Sequence, residues 1–321
     1  MFLLAVEAVF AVAVLISGIV VLTICSDKAV EHSVHFAYAL GISSLMIGLV
    51  LVSIGTDLPE IANSIVSCSS GHGDIDVGDS LGSVLTQITL VLGLIPFLGR
   101  DFKVERKEIL IIGAFEILAL VLAIAVALTG FTREKALILI ASWPVALIVI
   151  KRTTARDIAK RKDSQPRNSG HYLFHLAIAT LGFIGVAIGA LAVVQSVIML
   201  STTFAIPEFL VSFFVLAIGT SLPELVVDLT AIRKRQYELA VGDVIGSCIV
   251  DATVSISIGQ LLFPTPVFNT APEQSIRLAL YAIFASAVVI STLALRRKVD
   301  RKAGVIFLIL YSLAYVLLYV V

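Results

Sequence analysis

Two carboxylates stand inside stretches that are otherwise apolar, each with nearly the same neighbours. Glu60 closes the run IGTDLPE at residues 54–60, and Glu224 closes IGTSLPE at residues 218–224. VGDSLGS at 77–83 and VGDVIGS at 241–247 then follow, so Gly55 pairs with Gly219, Glu60 with Glu224, Gly78 with Gly242 and Ser83 with Ser247, all at an offset of 164. Two blocks that keep one register without a gap are an internal duplication. In the first block of each copy, Gly and Pro weaken helical hydrogen bonding and leave backbone carbonyls free to turn toward a cation. Thr56 and Thr220 add neutral oxygens, four residues before the glutamates and so on the same helical face. Carboxylate, hydroxyl and carbonyl oxygens are the ligands that hard cations such as Ca²⁺ and Na⁺ prefer. In the second block, glycines four apart permit close helix contact and bring Ser83 and Ser247 toward an opposing helix. One turn further, Gln87 and Asp251 occupy equivalent positions. Glu60, Gln87, Glu224 and Asp251 therefore mark the corners of a polar site in an apolar bundle. A kinked membrane helix is ordinary, and a Glu near a helix end snorkels to the interface. The same costly carboxylate kept twice, deep in a long span, points instead to a cation site.

The elements that must position these residues are membrane helices. The chain has 321 residues, 59% hydrophobic and 14% charged, with a mean hydropathy of +1.05. Its apolar segments match a hydrocarbon core about 30 Å thick. Ten spans are predicted, near residues 4–26, 36–69, 76–98, 107–129, 134–151, 171–196, 206–232, 239–263, 274–295 and 303–321. If the N-terminus is outside and the connections alternate, 20 of the 23 Lys and Arg residues fall in connections predicted as cytoplasmic; only Arg133, Lys135 and Arg277 do not. That bias is the positive-inside pattern. Each half then has five spans. Because five is odd, the second copy enters the membrane from the opposite side, giving an all-α membrane protein of two inverted-topology five-helix repeats. The expected division is residues 1–151, with the repeated core at about 42–95; a basic cytoplasmic linker at 152–170; and residues 171–321, with the core at about 206–259. The expected location is the plasma membrane, with both termini outside.

Other signals are quiet. Cys25, Cys68 and Cys248 are too scattered for a disulfide framework or a metal motif and are expected as free thiols in or near helices. No cleavable signal stands out, since the first apolar stretch lacks a basic start and a small-residue cleavage site. Glu7 in the first span is explained equally well by the bundle or by the surface. His72, His171 and His175 fall near predicted helix ends and read as interfacial residues rather than a proton relay. Asp79 and Asp243 are expected to cap helix starts near the membrane surface. Nothing calls for a cofactor, a nucleic-acid partner, an enzymatic role or an oligomer.

At the duplicated blocks the chain resembles the cation/calcium exchanger superfamily, specifically the prokaryotic sodium/calcium exchangers, whose two repeats carry GTS-x-PE in the second and seventh helices and GN-x-x-GS in the third and eighth. The resemblance covers essentially the whole chain. It implies inward flow of Na⁺ or H⁺ driving Ca²⁺ outward by alternating access around one central site. It further implies that Glu60 and Glu224 hold calcium and that Thr56 and Thr220 lend oxygens to calcium and sodium. Ser221, Ser83 and Ser247 match sodium-site hydroxyls, Ser53 and Ala217 match positions that give backbone carbonyls, and Gln87 and Asp251 match the polar pair of the third and eighth helices.

The departures bear on ion choice. Asp57 stands where the family has Ser, while Ser221 keeps it; Gln87 replaces Asn or Asp; Asp79 and Asp243 replace Asn; and Asp228 has Ser64 as its repeat partner. Glu60 and Glu224, both ionised, neutralise one Ca²⁺. Ionised Asp57 and Asp251 would leave two further charges in a low-dielectric site, so either these hold protons or the site takes additional monovalent cations. Sodium coupling is the first expectation and proton coupling the alternative. An intramembrane aspartyl hydrolase would need two close Asp residues sharing a proton, and this chain pairs Glu with Glu. A passive cation channel suits symmetry around a pore better than inverted repeats.

Overall fold

The computed structural model describes residues 2–40, 43–159, 172–201, 208–269 and 272–317. Among these, all regular structure is helical except one two-residue strand pair.

Helix α1 (Phe2–Leu40) does not stop near residue 26 as predicted; it runs through the expected connection at 27–35. No Gly or Pro interrupts residues 19–40, and Lys28 Nζ bonds Glu31 Oε2 at 3.2 Å across three residues, a spacing that favours helix. The next helix starts later than predicted, at Ser44, where the Ser43 hydroxyl accepts the Met46 N–H. There α2 (Ser44–Ile47), a π-helical stretch at Gly48–Val52 and α3 (Ser53–Thr56) form one rod that ends at Asp57. Helix α4 (Leu58–Ser69) leaves at 44°. Pro59 lies in its first turn, and Asp57, at φ −78° and ψ 5°, carries the change of direction.

Helices α5 (Gly73–Leu85) and α6 (Leu92–Leu98) join through a π-helical stretch at Thr86–Val91, followed by α7 (Arg106–Thr129) and α8 (Arg133–Ala159). Helix α8 continues past the expected span end at 151; residues 160–171, most of the predicted linker and His171 included, lie outside the described residues. After α9 (Tyr172–Ser201) the first pattern recurs: α10 (Glu208–Val211), a π-helical stretch, α11 (Ala217–Thr220), and α12 (Leu222–Arg233) bent by 40° at Ser221 before Pro223. Helices α13 (Tyr237–Val250) and α14 (Ile256–Leu262) join through a π-helical stretch at Asp251–Ser255, and α15 (Pro272–Arg296) and α16 (Arg301–Val316) close the chain.

Each predicted span has a helical counterpart. By length and apolarity, however, seven helices among the described residues suffice to cross a membrane, or nine if each bent pair counts once. The shortfall is α16, whose 16 residues rise only about 24 Å against a core of about 30 Å.

The basic connections gather at one end of the bundle. Strand β1 (Phe102–Lys103) pairs antiparallel with β2 (Lys298–Val299), Phe102 stacks on Tyr237 at 5.3 Å, and Lys234 Nζ bonds Asp27 Oδ1 at 2.8 Å. At the other end, the Asp74 carboxylate accepts the Asn269 N–H and Thr265 Oγ1 donates to the Cys68 carbonyl.

Between the ends the two halves interlock. A Cβ on Gly82 of α5 would meet Phe213 Cα at 2.7 Å, and one on Gly246 of α13 would meet Leu49 Cα at 2.9 Å. Gly82 and Gly246 are repeat partners, and so are Leu49 and Phe213. The hydroxyl contacts are likewise reciprocal: Thr56 Oγ1 lies 3.4 Å from Ser247 Oγ, and Ser83 Oγ lies 3.2 Å from Thr220 Oγ1. Contacts that swap partners in this way pair the two copies reciprocally.

Candidate cation site

The two helix breaks set the site. Glu60 and Glu224 are each the third residue after a break, where the first-turn N–H groups and the helix dipole favour negative charge. The breaks bring the two first turns together in the bundle interior. Carboxylate oxygens of Asp57, Glu60 and Glu224, one from each residue, all lie within 4.8 Å of one another.

These groups are sealed from solvent, and both carboxylate oxygens of each lack a hydrogen-bond partner. A buried carboxylate without donors is costly. No Lys or Arg side chain is buried among the described residues, so no protein cation offsets the charge. The donor set fits a hard cation, Ca²⁺ or Na⁺, as cargo, or protons on the same oxygens. The Ser221 hydroxyl is buried beside its break and is also unpartnered.

The remaining predicted residues surround this core. Thr56 meets Ser247 and Thr220 meets Ser83, each pair joining a broken helix of one half to a glycine-bearing helix of the other. Gln87 Nε2 donates to Asp251 Oδ2 at 3.2 Å, leaving Asp251 Oδ1 unpartnered. The Ser53 and Ala217 carbonyls accept the Asp57 and Ser221 N–H groups, each at 3.0 Å, so in this conformation both are engaged within their own helices.

The expectation for Asp79 and Asp243 is corrected. Neither caps a helix start; each is the seventh residue of its helix and is buried. Asp79 accepts from Asn63 Nδ2 at 2.7 Å and from Thr220 Oγ1 at 3.2 Å. Asp243 has no such amide, because Val227 is the repeat partner of Asn63, and both its oxygens are unpartnered. Asp228 faces Asp243 and is likewise buried.

Three further residues were missed. Asn63 is a tertiary partner that no local pattern marks. Asp76 is buried and accepts from Cys68 Sγ at 3.2 Å and Gln260 Nε2 at 3.1 Å. Glu116 is buried in α7 and accepts from Ser286 Oγ at 2.7 Å. A carboxylate in the middle of an apolar span was the available signal for Glu116. The three cysteines are free thiols in helices.

Comparison with known proteins places the chain in a family. A profile described as sodium/calcium exchanger protein matches residues 10–151 and 174–320. An uncharacterized membrane protein of Methanocaldococcus jannaschii is 29% identical over 299 residues, covering 92% of this chain and 94% of that one. The sodium/calcium exchanger MaX1 of Methanosarcina acetivorans is 24% identical over 353 residues, covering 95% and 97%. Among solved structures, the sodium-calcium exchanger NCX_Mj, soaked with zero Na⁺ and Ca²⁺, superposes with a TM-score of 0.75 at 27% identity, covering 98% of this chain and 99% of that one. MaX1 and NCX_Mj are named as exchangers, not enzymes. The chain belongs to the sodium/calcium exchanger protein family.

Proposed function

We propose that this protein is a secondary active antiporter of the plasma membrane that exports Ca²⁺ in exchange for Na⁺. The observation that carries this reading is the set of unpartnered carboxylate oxygens of Asp57, Glu60 and Glu224, held between two broken helices from different halves of the chain. Glu60 and Glu224 bind the divalent ion and match its charge. Thr56, Thr220, Ser83, Ser247 and Ser221 lend hydroxyls to it or to Na⁺, and Ser53 and Ala217 lend carbonyls once their own helical bonds open. Gln87 and Asp251 close the remaining side.

The architecture that goes with this function is ten spans in two inverted five-helix repeats, residues 1–151 and 171–321, with the site near the membrane midplane. The end that gathers Arg and Lys faces the cytoplasm along with the segment 152–170, and both termini lie outside. Access alternates because each broken helix belongs to one repeat and its glycine-bearing partner helix to the other, so rocking one repeat against its mate opens one face as it closes the opposite face.

Proton coupling is the second reading, and Asp57 favours it. With Asp251, it brings the carboxylates among the proposed ligands to four, two more than one Ca²⁺ neutralises. Reconstituted vesicles separate the readings. Vesicles loaded with Na⁺ at matched pH and diluted into Na⁺-free buffer should take up radioactive Ca²⁺. Uptake driven only by a pH gradient assigns the proton-coupled branch. No uptake under either gradient rejects both, and fast flux without a counter-ion indicates a channel.

A further inference from the structure

Three histidines meet at a seam away from the cation site. His32 and His35 are three residues apart on α1 and so share a face, and His175 lies in the first turn of α9. His32 Nδ1 and His175 Nδ1 are 3.0 Å apart. The His35 ring centroid is 4.9 Å from that of His175 and 6.4 Å from that of His32. Phe174 packs edge-on against His32 and His175 and limits their rotation. His32 and His175 are half-buried and His35 is exposed, so one ring of the cluster is open to an incoming ion. The repeat-equivalent positions are Ala11, Ser196 and Met199, so the cluster exists at one end of the bundle only.

In a tetrahedral site with Zn–N bonds of about 2.0–2.1 Å, two ligating nitrogens stand about 3.3 Å apart. The His32 and His175 nitrogens already stand close to that separation, held there by a proton that one neutral ring donates to the other. A divalent ion replaces that proton with little movement. His35 completes a third ligand position by rotation of its exposed ring, and water fills the fourth. The nearest cationic side chains have acid partners, Lys28 with Glu31 and Lys234 with Asp27, which lowers the repulsion toward an incoming ion.

We infer that His32, His175 and His35 form a site for a borderline transition-metal ion such as Zn²⁺, which staples α1 to α9. The ligand chemistry separates this site from the central one, because imidazole suits Zn²⁺ whereas Ca²⁺ takes oxygen. The consequence for transport rests on the exchanger reading; the binding itself does not. Helix α1 is tied to α12 through Asp27 and Lys234, and α9 sets Phe183 against Gly55 beside the first break. An ion that pins α1 to α9 therefore restrains both broken helices.

The test is titration of the purified full-length protein in detergent with Zn²⁺, by calorimetry in saturating Ca²⁺. One Zn²⁺ per chain is expected for the wild type and for Glu60→Gln. His32→Ala combined with His175→Ala should weaken binding by about 100-fold or more, since losing even an outer-shell partner costs up to about 100-fold. His35→Ala alone should weaken it less. Retained Ca²⁺ binding by the double variant establishes that it is folded. Absence of a Zn²⁺ isotherm for the wild type, or an unchanged isotherm for the double variant, overturns the site. Ca²⁺ binding that survives Glu60→Gln tells against the central reading and leaves the Zn²⁺ result standing.

Discussion

Gln87 and Asp251 occupy the same position in the two repeats and bond to each other, Nε2 to Oδ2 at 3.2 Å, so the two copies meet here through an amide and a carboxylate. The Cys248 thiol, itself the repeat partner of Val84, lies 3.4 Å from Gln87 Oε1 and completes this corner. Gln87→Leu removes the amide donor to a buried acid. Hydrogen bonds to charged groups contribute about 1.5–3 kcal/mol. Thermal unfolding of the detergent-purified variant should show a loss of that order, with reduced Ca²⁺ uptake in vesicles.

Glu60→Gln and Glu224→Gln each keep side-chain volume and remove one of the two charges that this reading assigns to the divalent ion. Each should abolish Ca²⁺ uptake while leaving the yield of monodisperse protein unchanged. Substantial uptake by either variant would count against the paired-glutamate assignment.

Asp57→Ser restores the residue that its repeat partner Ser221 keeps. It should preserve Ca²⁺ binding but change the counter-ion dependence or the pH profile of uptake. Identical profiles for variant and wild type would show that the Asp57 carboxylate takes no part in coupling.

Gly82→Ala and Gly246→Ala should both destabilise the protein. The added methyl group would lie under 3.0 Å from the backbone of the opposing helix in each case. Overpacking of this kind costs about 1–3 kcal/mol. The larger penalty in paired melting curves is expected at Gly82, whose added methyl group also crowds the Phe213 carbonyl oxygen and Ala217 Cβ.

Asp300 offers a pH prediction outside the membrane spans. Burial works against its ionised form. Hydrogen bonds from Lys298, the Ala303 N–H and Arg296 outweigh that and hold its carboxyl well below the ordinary carboxylate range. A depressed folded-state value means that its stabilisation is complete above the unfolded value of about 3.9 and fades as pH falls below it. The difference in melting temperature between wild type and Asp300→Asn should therefore be constant from neutral pH to about pH 5 and shrink only in stronger acid. A difference that instead vanished between pH 7 and 5 would show that Asp300 is not held this way.

The core of the site is legible in the sequence because it depends on local patterns repeated at one offset. Gly, Pro and Glu at fixed spacing specify a broken helix with a carboxylate in its first turn, and the repetition supplies the partner. Where reading fails, the missing information is tertiary. The run Asp27, Lys28, Glu31 looks like a connection by charge, yet with no Gly or Pro nearby it stays helical. Asp79 looks like a cap because a buried Asp and a capping Asp differ only in their surroundings, here Asn63 and Thr220 from two other helices. Asp228 and Glu116 are visible as acids in apolar spans, but which neighbour each faces depends on helix packing.

The reciprocal crossings at Gly82 and Gly246 have a consequence for ancestry. A polypeptide bearing one repeat has no surface of its own against which to seat its glycine, and its glutamate would line half a cavity. Two separate copies, docked about a two-fold axis, would restore both crossings at once. The arrangement is the one a dimer of single repeats would have, and joining the copies in one chain leaves each free to differ. Asp57 against Ser221, and Asn63 against Val227, are differences that two identical self-pairing copies could not carry.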